Sequence, residues 1–143
     1  MIPRYNRPGV KTASASTAKL PMNDVSLISV VDDDESLRES LEGLLKSLGY
    51  GVQVFSSAES FLSSKNLAQT RCLILDVRMP GMSGPELQRE LAGQRIQIPT
   101  IFITAHADED VVSRVMADGA VECLPKPFSE ESLLNAITLA LSS

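Results

Sequence analysis

The amino-acid sequence predicts an α/β fold, a doubly wound (βα)5 domain in which helices cover both faces of a five-stranded parallel sheet. Short apolar runs alternate along the chain with segments whose apolar residues recur at helical spacing. Serine, aspartate and glycine residues stand at the boundaries of these segments, where helices begin and end. The length of 143 residues fits one such domain.

Five runs have the character of strands. Three of them are rich in apolar residues (LISVV, CLIL and the IFI of 101–103), typical of strands that are buried on both faces, whereas the second run (GVQVF) alternates. The strands are predicted over residues 27–31, 51–55, 72–75, 98–103 and 121–124.

The intervening segments carry helix signals. The first helix is predicted over 36–48, with leucines on one face and Gly49 at its C-terminal end. Serine followed three residues later by glutamate is the spacing of a capping box, which predicts helix starts at Ser56 and Ser83. The fourth helix is predicted from Asp108 to Gly119, and the fifth from the cap Ser129 to Leu141.

Composition excludes several classes of function. With 18 acidic and 13 basic residues, the net charge of −5 disfavours binding to a nucleic-acid backbone. Aromatic residues make up 4% of the chain and tryptophan is absent, which disfavours base stacking. No apolar run approaches the roughly 18 residues that span a membrane. The two cysteines, Cys72 and Cys123, form no CxxC pair, so we expect a reducing, cytoplasmic location.

The first residues differ from the rest. Residues 1–21 contain four basic and no acidic residues and show no helical or strand periodicity. We therefore expect a disordered tail over 1–25 and a single domain over 26–143. Two alternatives stay open for the leader: a transit peptide, or translation that starts at Met22.

Chemically useful side chains follow the predicted strands. An acidic run begins with Asp32 and Asp33, while Asp76, Thr104 and Lys126 follow the third, fourth and fifth strands. The carboxyl ends of parallel strands lie at one edge of the sheet, so these groups should converge. Clustered carboxylates repel one another unless a hard cation such as Mg²⁺ compensates them. Such a site has the parts that phosphoryl transfer requires.

Each of these residues also has an ordinary structural interpretation. The acidic run could simply favour the dipole at the start of the first helix. Asp76 could be a turn residue, Thr104 a strand-end or capping residue, and Lys126 a solvated loop lysine. The functional interpretation is preferred because every one of these strand ends carries a suitable group.

The sequence resembles the receiver domains of bacterial response regulators. The segments that carry the resemblance are VVDDDESLRESLEGLLKSLGY (30–50), LILDVRMPGMSGPEL (73–87), TIFITAHAD (100–108) and GAVECLPKPF (119–128). The resemblance covers nearly all of the chain after the leader and implies the flavodoxin-like strand order 2-1-3-4-5.

The resemblance also implies roles for single residues. Asp76 matches the aspartate that accepts the phosphoryl group. Asp32 and Asp33 match the acidic pair that binds one Mg²⁺, with Asp33 as the direct ligand, and Asp76 and the backbone carbonyl of Arg78 complete the protein ligands. Lys126 matches the lysine that pairs with the phosphoryl group, and the family has a cis bond between this lysine and the following proline.

The resemblance also implies which positions affect the conformational switch and the lifetime of the phosphoryl group. Thr104 matches the hydroxyl that moves toward the phosphoryl group. Arg78 and His106 match positions that tune dephosphorylation, and their combination resembles the nitrogen-fixation type of regulator. His106 could act as a general base, but an exposed loop histidine is the preferred interpretation. Cys123 stands where many receivers carry the aromatic residue that swings inward on activation, so that part of the switch is not expected here.

The resulting prediction is a single-domain response regulator, a signalling switch that catalyses its own phosphorylation and dephosphorylation. Its expected partners are a sensor histidine kinase or histidine phosphotransfer protein and a downstream protein target. A homodimer through the last helix, strand and helix is a further option. Because little sequence follows Leu141, direct DNA binding is not expected. Because no apolar run is long enough to span a bilayer, membrane association is not expected either.

Two other functions remain as alternatives. One is a Mg²⁺-dependent phosphatase of the haloacid-dehalogenase type, since Asp32-x-Asp34 loosely resembles its nucleophile motif. The other is an interaction module that works without phosphorylation.

Overall fold

The computed structural model describes residues 25–106 and 108–142 of the chain. The predicted tail over 1–25 lies outside the described residues except for Val25. The strands are β1 (Leu27–Val31), β2 (Gly51–Phe55), β3 (Thr70–Asp76), β4 (Thr100–Thr104) and β5 (Glu122–Pro125). The helices are α1 (Glu35–Ser47), α2 (Ala58–Leu62), α3 (Gly84–Gly93), α4 (Glu109–Ala117) and α5 (Glu130–Leu141), with a 3₁₀ turn at Leu67–Gln69.

Within the described residues, all strands pair in parallel in one sheet of order β2-β1-β3-β4-β5. The predicted fold class and strand order are therefore confirmed. None of the helices in the described part of the chain is both long and apolar enough to cross a membrane.

The sheet separates two cores because successive side chains of a strand point to opposite faces. In β3, Leu73 and Leu75 pack on the side of α2, α3 and α4. Cys72 and Ile74 pack on the other side, with α1 and α5. All four side chains are fully buried, which explains why this strand is a continuous apolar run.

Strand ends differ from the prediction by one or two residues. β3 begins at Thr70 and includes Asp76, and β4 and β5 begin one or two residues later than expected. Apolar runs mark only the doubly buried centre of a strand, whereas polar residues at the ends still form ladder hydrogen bonds. Asp76, for example, pairs in register with Ile103.

Helix caps were predicted with one error. The capping box of Ser83 and Glu86 is confirmed, and Asp108 and Ser129 cap α4 and α5. The predicted box at Ser56 and Glu59 is wrong, because Ser57 caps α2 by accepting a hydrogen bond from the Ser60 N–H. Burial of Ala58 and Phe61, three residues apart, sets the helix start and leaves the Glu59 side chain free to face elsewhere.

Candidate functional site

The predicted site residues lie at the carboxyl edge of the sheet. The strand order changes direction between β1 and β3, and ligands of doubly wound sheets bind at such a switch point. Asp32 and Asp33 follow β1 there, and Asp76 is the last residue of β3. Lys126 follows β5, and its ammonium group lies close to the carboxylates of Asp32 and Asp76.

Three carboxylates form a tight cluster. Oxygen atoms of Asp32, Asp33 and Asp76 all lie within 4.8 Å of one another. Asp32 is fully buried and Asp76 nearly so, whereas Asp33 is exposed. Hard carboxylate oxygens around one accessible point are the donor set that Mg²⁺ prefers, so the residues fit this ion.

Asp32 has its polar groups engaged by neighbours. Its carboxylate accepts hydrogen bonds from the Asp34 N–H at 2.9 Å and from Lys126 Nζ at 2.9 Å. Its backbone N–H donates to the Phe55 carbonyl at 3.1 Å, and its carbonyl accepts from Arg38 Nη1 at 2.8 Å. These contacts fix the position of the loop after β1 and place the next carboxylate, Asp33, toward solvent.

Lys126 is the cation of the site. Its ammonium nitrogen lies 2.9 Å from Asp32 Oδ2 and 3.6 Å from Asp76 Oδ1. Partial burial lowers the pKa of Lys126, but the hydrogen bond and charge of Asp32, together with the charge of Asp76, outweigh it and raise the pKa. The lysine is therefore charged at neutral pH, and its bond to Pro127 is cis, as the resemblance implies.

Asp76 is an unusually basic carboxylate. Burial and the negative charge of Asp32 raise its pKa to about 6, while Lys126 and a hydrogen bond from the Arg78 backbone N–H act in the opposite direction. The ammonium group of Lys126 thus neutralises only part of the negative charge of the carboxylate cluster. A carboxylate with such a pKa remains mostly ionised at neutral pH and keeps its nucleophilic lone pairs.

Thr104 lies at the end of β4, but its hydroxyl forms local contacts. It donates to the His106 carbonyl at 3.0 Å and accepts from the His106 N–H at 3.1 Å. The side chain is buried, while His106 is exposed on the loop. The structure therefore brings Asp32, Asp33, Asp76 and Lys126 together and shows the Thr104 hydroxyl bonded to its own loop.

Arg78 and Cys123 are not part of the carboxylate cluster. Arg78 is exposed, two residues after Asp76. Cys123 pairs in register with Phe102 and is half-buried against the core on the α3 and α4 side. Burial and the charge of Glu122 raise the pKa of the Cys123 thiol, so it is a packed side chain of low reactivity.

Asp34 takes the structural role that the sequence left open for the acidic run. Its carboxylate caps α1 by accepting hydrogen bonds from the N–H groups of Ser36 and Leu37, at 3.0 and 3.3 Å. A carboxylate committed to a helix cap is poorly placed for the acid–base work that the Asp32-x-Asp34 alternative requires. The structure gives the phosphatase alternative no support.

Three residues near the site were not predicted. Arg38 holds the Asp32 carbonyl, and Glu59 accepts a hydrogen bond from the Met82 N–H at 3.0 Å. Gly84 lies so close to the Asp76 carbonyl oxygen that a Cβ atom would overlap with it. Only Gly84 left a sequence signal, since glycine just inside a capping box is unusual for a helix start.

Comparison with known proteins agrees with this geometry. The family model described as "response regulator receiver domain" matches residues 28–138. The response regulator protein TmoT of Ectopseudomonas mendocina is 48% identical over 121 residues, 84% of this chain and 55% of its own. A structure of the response regulator StyR is 48% identical with a TM-score of 0.77, covering 82% of this chain and 60% of that one. The crystal structure of FixJ-N is 39% identical with a TM-score of 0.74, covering 82% and 94%.

The chain spans about half the length of the curated relatives that it matches. What is similar is the part that carries the carboxylate cluster, from β1 to α5.

Proposed function

Because the chain belongs to the response regulator receiver domain family of two-component systems, we propose that Asp76 is its phosphorylation site. The observation that carries the proposal is the cluster of Asp32, Asp33 and Asp76 with the Lys126 ammonium placed against it. Asp76 is the member at the end of the central strand β3, at the carboxyl edge of the sheet.

The proposed reaction is transfer of a phosphoryl group from a phosphohistidine. An oxygen of the Asp76 carboxylate attacks phosphorus in line, an O–P bond forms and the N–P bond breaks. The imidazole leaves with the electron pair and takes a proton from solvent. Lys126 lies 3.6 Å from Asp76 and stabilises the charge on the transferred oxygens. Water later attacks the acyl phosphate and returns inorganic phosphate, so the domain also catalyses its own dephosphorylation.

One Mg²⁺ is proposed as the cofactor. Asp32, Asp33, Asp76 and the backbone carbonyl of Arg78 would hold it, with Asp33 as a direct ligand because it is the exposed carboxylate of the cluster. The ion supplies charge neutralisation for carboxylates and phosphoryl oxygens together. Asp32 is the fully buried member of this ligand set, and its bonds to Lys126 and the Asp34 N–H also place the loop.

Phosphorylation then acts as a switch on Thr104. The added charge draws the hydroxyl away from the His106 backbone, and β4, α4, β5 and α5 adjust as a partner-binding surface. Arg78 and His106 flank the approach of water and are proposed to set the lifetime of the phosphoryl group. Cys123 is not proposed to move as an aromatic switch residue would.

The proposed partners follow from this chemistry. The donor is a sensor histidine kinase or a histidine phosphotransfer protein, and the output goes to a downstream protein target. Met116 of α4 has an exposed apolar side chain, and a homodimer through α4, β5 and α5 is proposed as a further option. The expectation that output does not use direct DNA binding remains a prediction about the whole protein.

Labelling with a small phosphodonor tests the proposal. Acetyl phosphate with Mg²⁺ should add one phosphoryl group, and peptide mapping after trapping of the acyl phosphate should locate it on Asp76. Asp76→Asn should abolish labelling, whereas Asp34→Asn, which keeps the helix cap, should not. Labelling on Asp32 would favour the phosphatase instead, and equal labelling of Asp76→Asn and wild type would refute the proposal.

A further inference from the structure

The β3–α3 loop, residues 77–83, connects the phosphorylation site to α3. It carries Arg78, whose backbone carbonyl is proposed to bind the metal ion. The base of the loop is fixed by hydrogen bonds from the Val77 N–H to the Ile103 carbonyl and from the Gly84 N–H to the Val77 carbonyl, both at 3.0 Å. At the tip of the loop, the Met82 N–H bonds to a side chain from outside the loop.

Glu59 provides such a contact at the tip. Its Oε2 atom accepts a hydrogen bond from the backbone N–H of Met82 at 3.0 Å. The neighbouring Gly81 has φ of +76°, and a Cβ atom at this glycine would lie only 2.7 Å from the same carboxylate oxygen. The carboxylate therefore lies directly over Gly81, where the positive φ favours glycine and a larger residue would displace the Glu59 carboxylate.

The residue that makes this contact stands on a fixed support. Helix α2 buries Ala58 and Phe61 completely in the core on its side of the sheet. The Phe61 ring packs edge-to-face on Phe55 of β2, with ring centroids 5.4 Å apart. Ser57 caps the start of the helix. Glu59 is thus an exposed side chain on a helix that Ala58 and Phe61 anchor in the core.

We propose that Glu59 is a positioning residue, which holds the β3–α3 loop in the shape that presents the Arg78 carbonyl to Mg²⁺. The inference rests on the proposed function, since it concerns the same metal site. Glu59 is separate from the Asp32, Asp33 and Asp76 cluster. Its effect passes through the Met82 N–H and the Gly81 backbone.

The first test uses the metal-free protein. Glu59→Ala removes the acceptor, so hydrogen exchange of the Met82 amide should become faster. Glu59→Gln keeps a side-chain oxygen at the same distance from the backbone and should restore slow exchange. Glu39→Ala removes an exposed glutamate from α1 and serves as the matched control, with exchange as in wild type. Unchanged Met82 exchange in Glu59→Ala would overturn the inference.

The second test measures Mg²⁺ affinity by calorimetry. Glu59→Ala should bind Mg²⁺ about threefold to tenfold more weakly, the change expected for loss of the net contribution of one typical hydrogen bond. Glu59→Gln and Glu39→Ala should bind within about twofold of wild type. Equal weakening in the Gln and Ala variants would show that charge matters rather than loop position, and would overturn the proposal.

A double-mutant cycle tests whether the effect on Mg²⁺ binding depends on the contact between Glu59 and Gly81. Gly81→Ala strains the backbone and also displaces the Glu59 carboxylate, so it should weaken Mg²⁺ binding more in wild type than in Glu59→Ala. Equal effects in the two backgrounds would contradict the assigned contact. If wild type itself neither binds Mg²⁺ nor is labelled on Asp76, the proposed function fails. If wild type does both and Glu59→Ala matches it, only this inference fails.

Discussion

Replacing Asp76 by asparagine should stabilise the metal-free protein. The pKa of Asp76 is raised from 3.8 to about 6, chiefly by burial and by the charge of Asp32. A carboxyl group with a raised pKa binds its proton more tightly in the folded than in the unfolded state, so ionisation weakens folding. A shift of about 2 units at 1.36 kcal/mol each corresponds to about 3 kcal/mol. Asparagine resembles the protonated acid and removes this cost.

The sign of the pH dependence is part of the prediction. Between about pH 4 and pH 6 the folded state keeps a proton that the unfolded state has lost, so the contribution of Asp76 to stability falls as pH rises. Above pH 6 the cost is complete. Asp76→Asn should therefore exceed wild type by up to about 3 kcal/mol at pH 7.5, or about 10 °C in Tm, and by little near pH 4.

Urea and thermal unfolding, followed by far-UV circular dichroism in EDTA, measure the difference. Asp34→Asn is the matched control, because it removes the same charge from the same region while asparagine still caps α1. Its stability should stay close to that of wild type. Equal stabilisation by both variants would attribute the effect to general repulsion, and no stabilisation by Asp76→Asn would refute the electrostatic reasoning.

The remaining predictions concern single contacts. Lys126→Met leaves the fully buried Asp32 carboxylate without its cation and should cost about 3 kcal/mol in urea unfolding, most of which Asp32→Asn should restore in the double variant. Arg95 has φ of +61° just after α3, the same position that Gly49 and Gly119 occupy after α1 and α4. Arg95→Gly should therefore raise the free energy of unfolding by about 1 kcal/mol, whereas Arg95→Ala should not. Burial raises the pKa of Cys72 to about 12, so alkylation followed by mass spectrometry at pH 8 should modify Cys123 first, and faster modification of Cys72 would contradict the packing of β3.

The fold could be predicted because helices and strands each repeat one local pattern. A strand that is buried on both faces appears in the sequence as an apolar run. The polar residues that follow these runs include Asp32, Asp76 and Lys126, which are neighbours in the structure. The ends of elements were less certain because polar residues such as Thr70 can pair in a strand as well as apolar ones. The start of α2 was displaced by one residue, since two adjacent serines offer the same capping chemistry.

Contacts between distant segments left no comparable pattern. Glu59 and Met82 are 23 residues apart, and Arg38 meets a backbone carbonyl rather than a side chain, so neither contact restricts the sequence locally. The orientation of side chains could not be predicted either. The place of Thr104 after β4 predicts that it lies near Asp76, but nothing in the sequence indicates that its hydroxyl bonds to the His106 backbone.

That orientation bears on how the switch would work. The Thr104 hydroxyl makes two hydrogen bonds within its loop, each worth about 1 kcal/mol net. A hydrogen bond to a phosphoryl oxygen is charge-assisted and worth about 1.5–3 kcal/mol. Exchanging the two loop hydrogen bonds for one to the phosphoryl group thus changes the free energy little. A shift of the population from 1:99 to 99:1 needs about 5.5 kcal/mol, so Thr104 by itself cannot drive it. In the proposed switch the rest would have to come from other contacts, and phosphorylation would shift a population between two states of similar free energy.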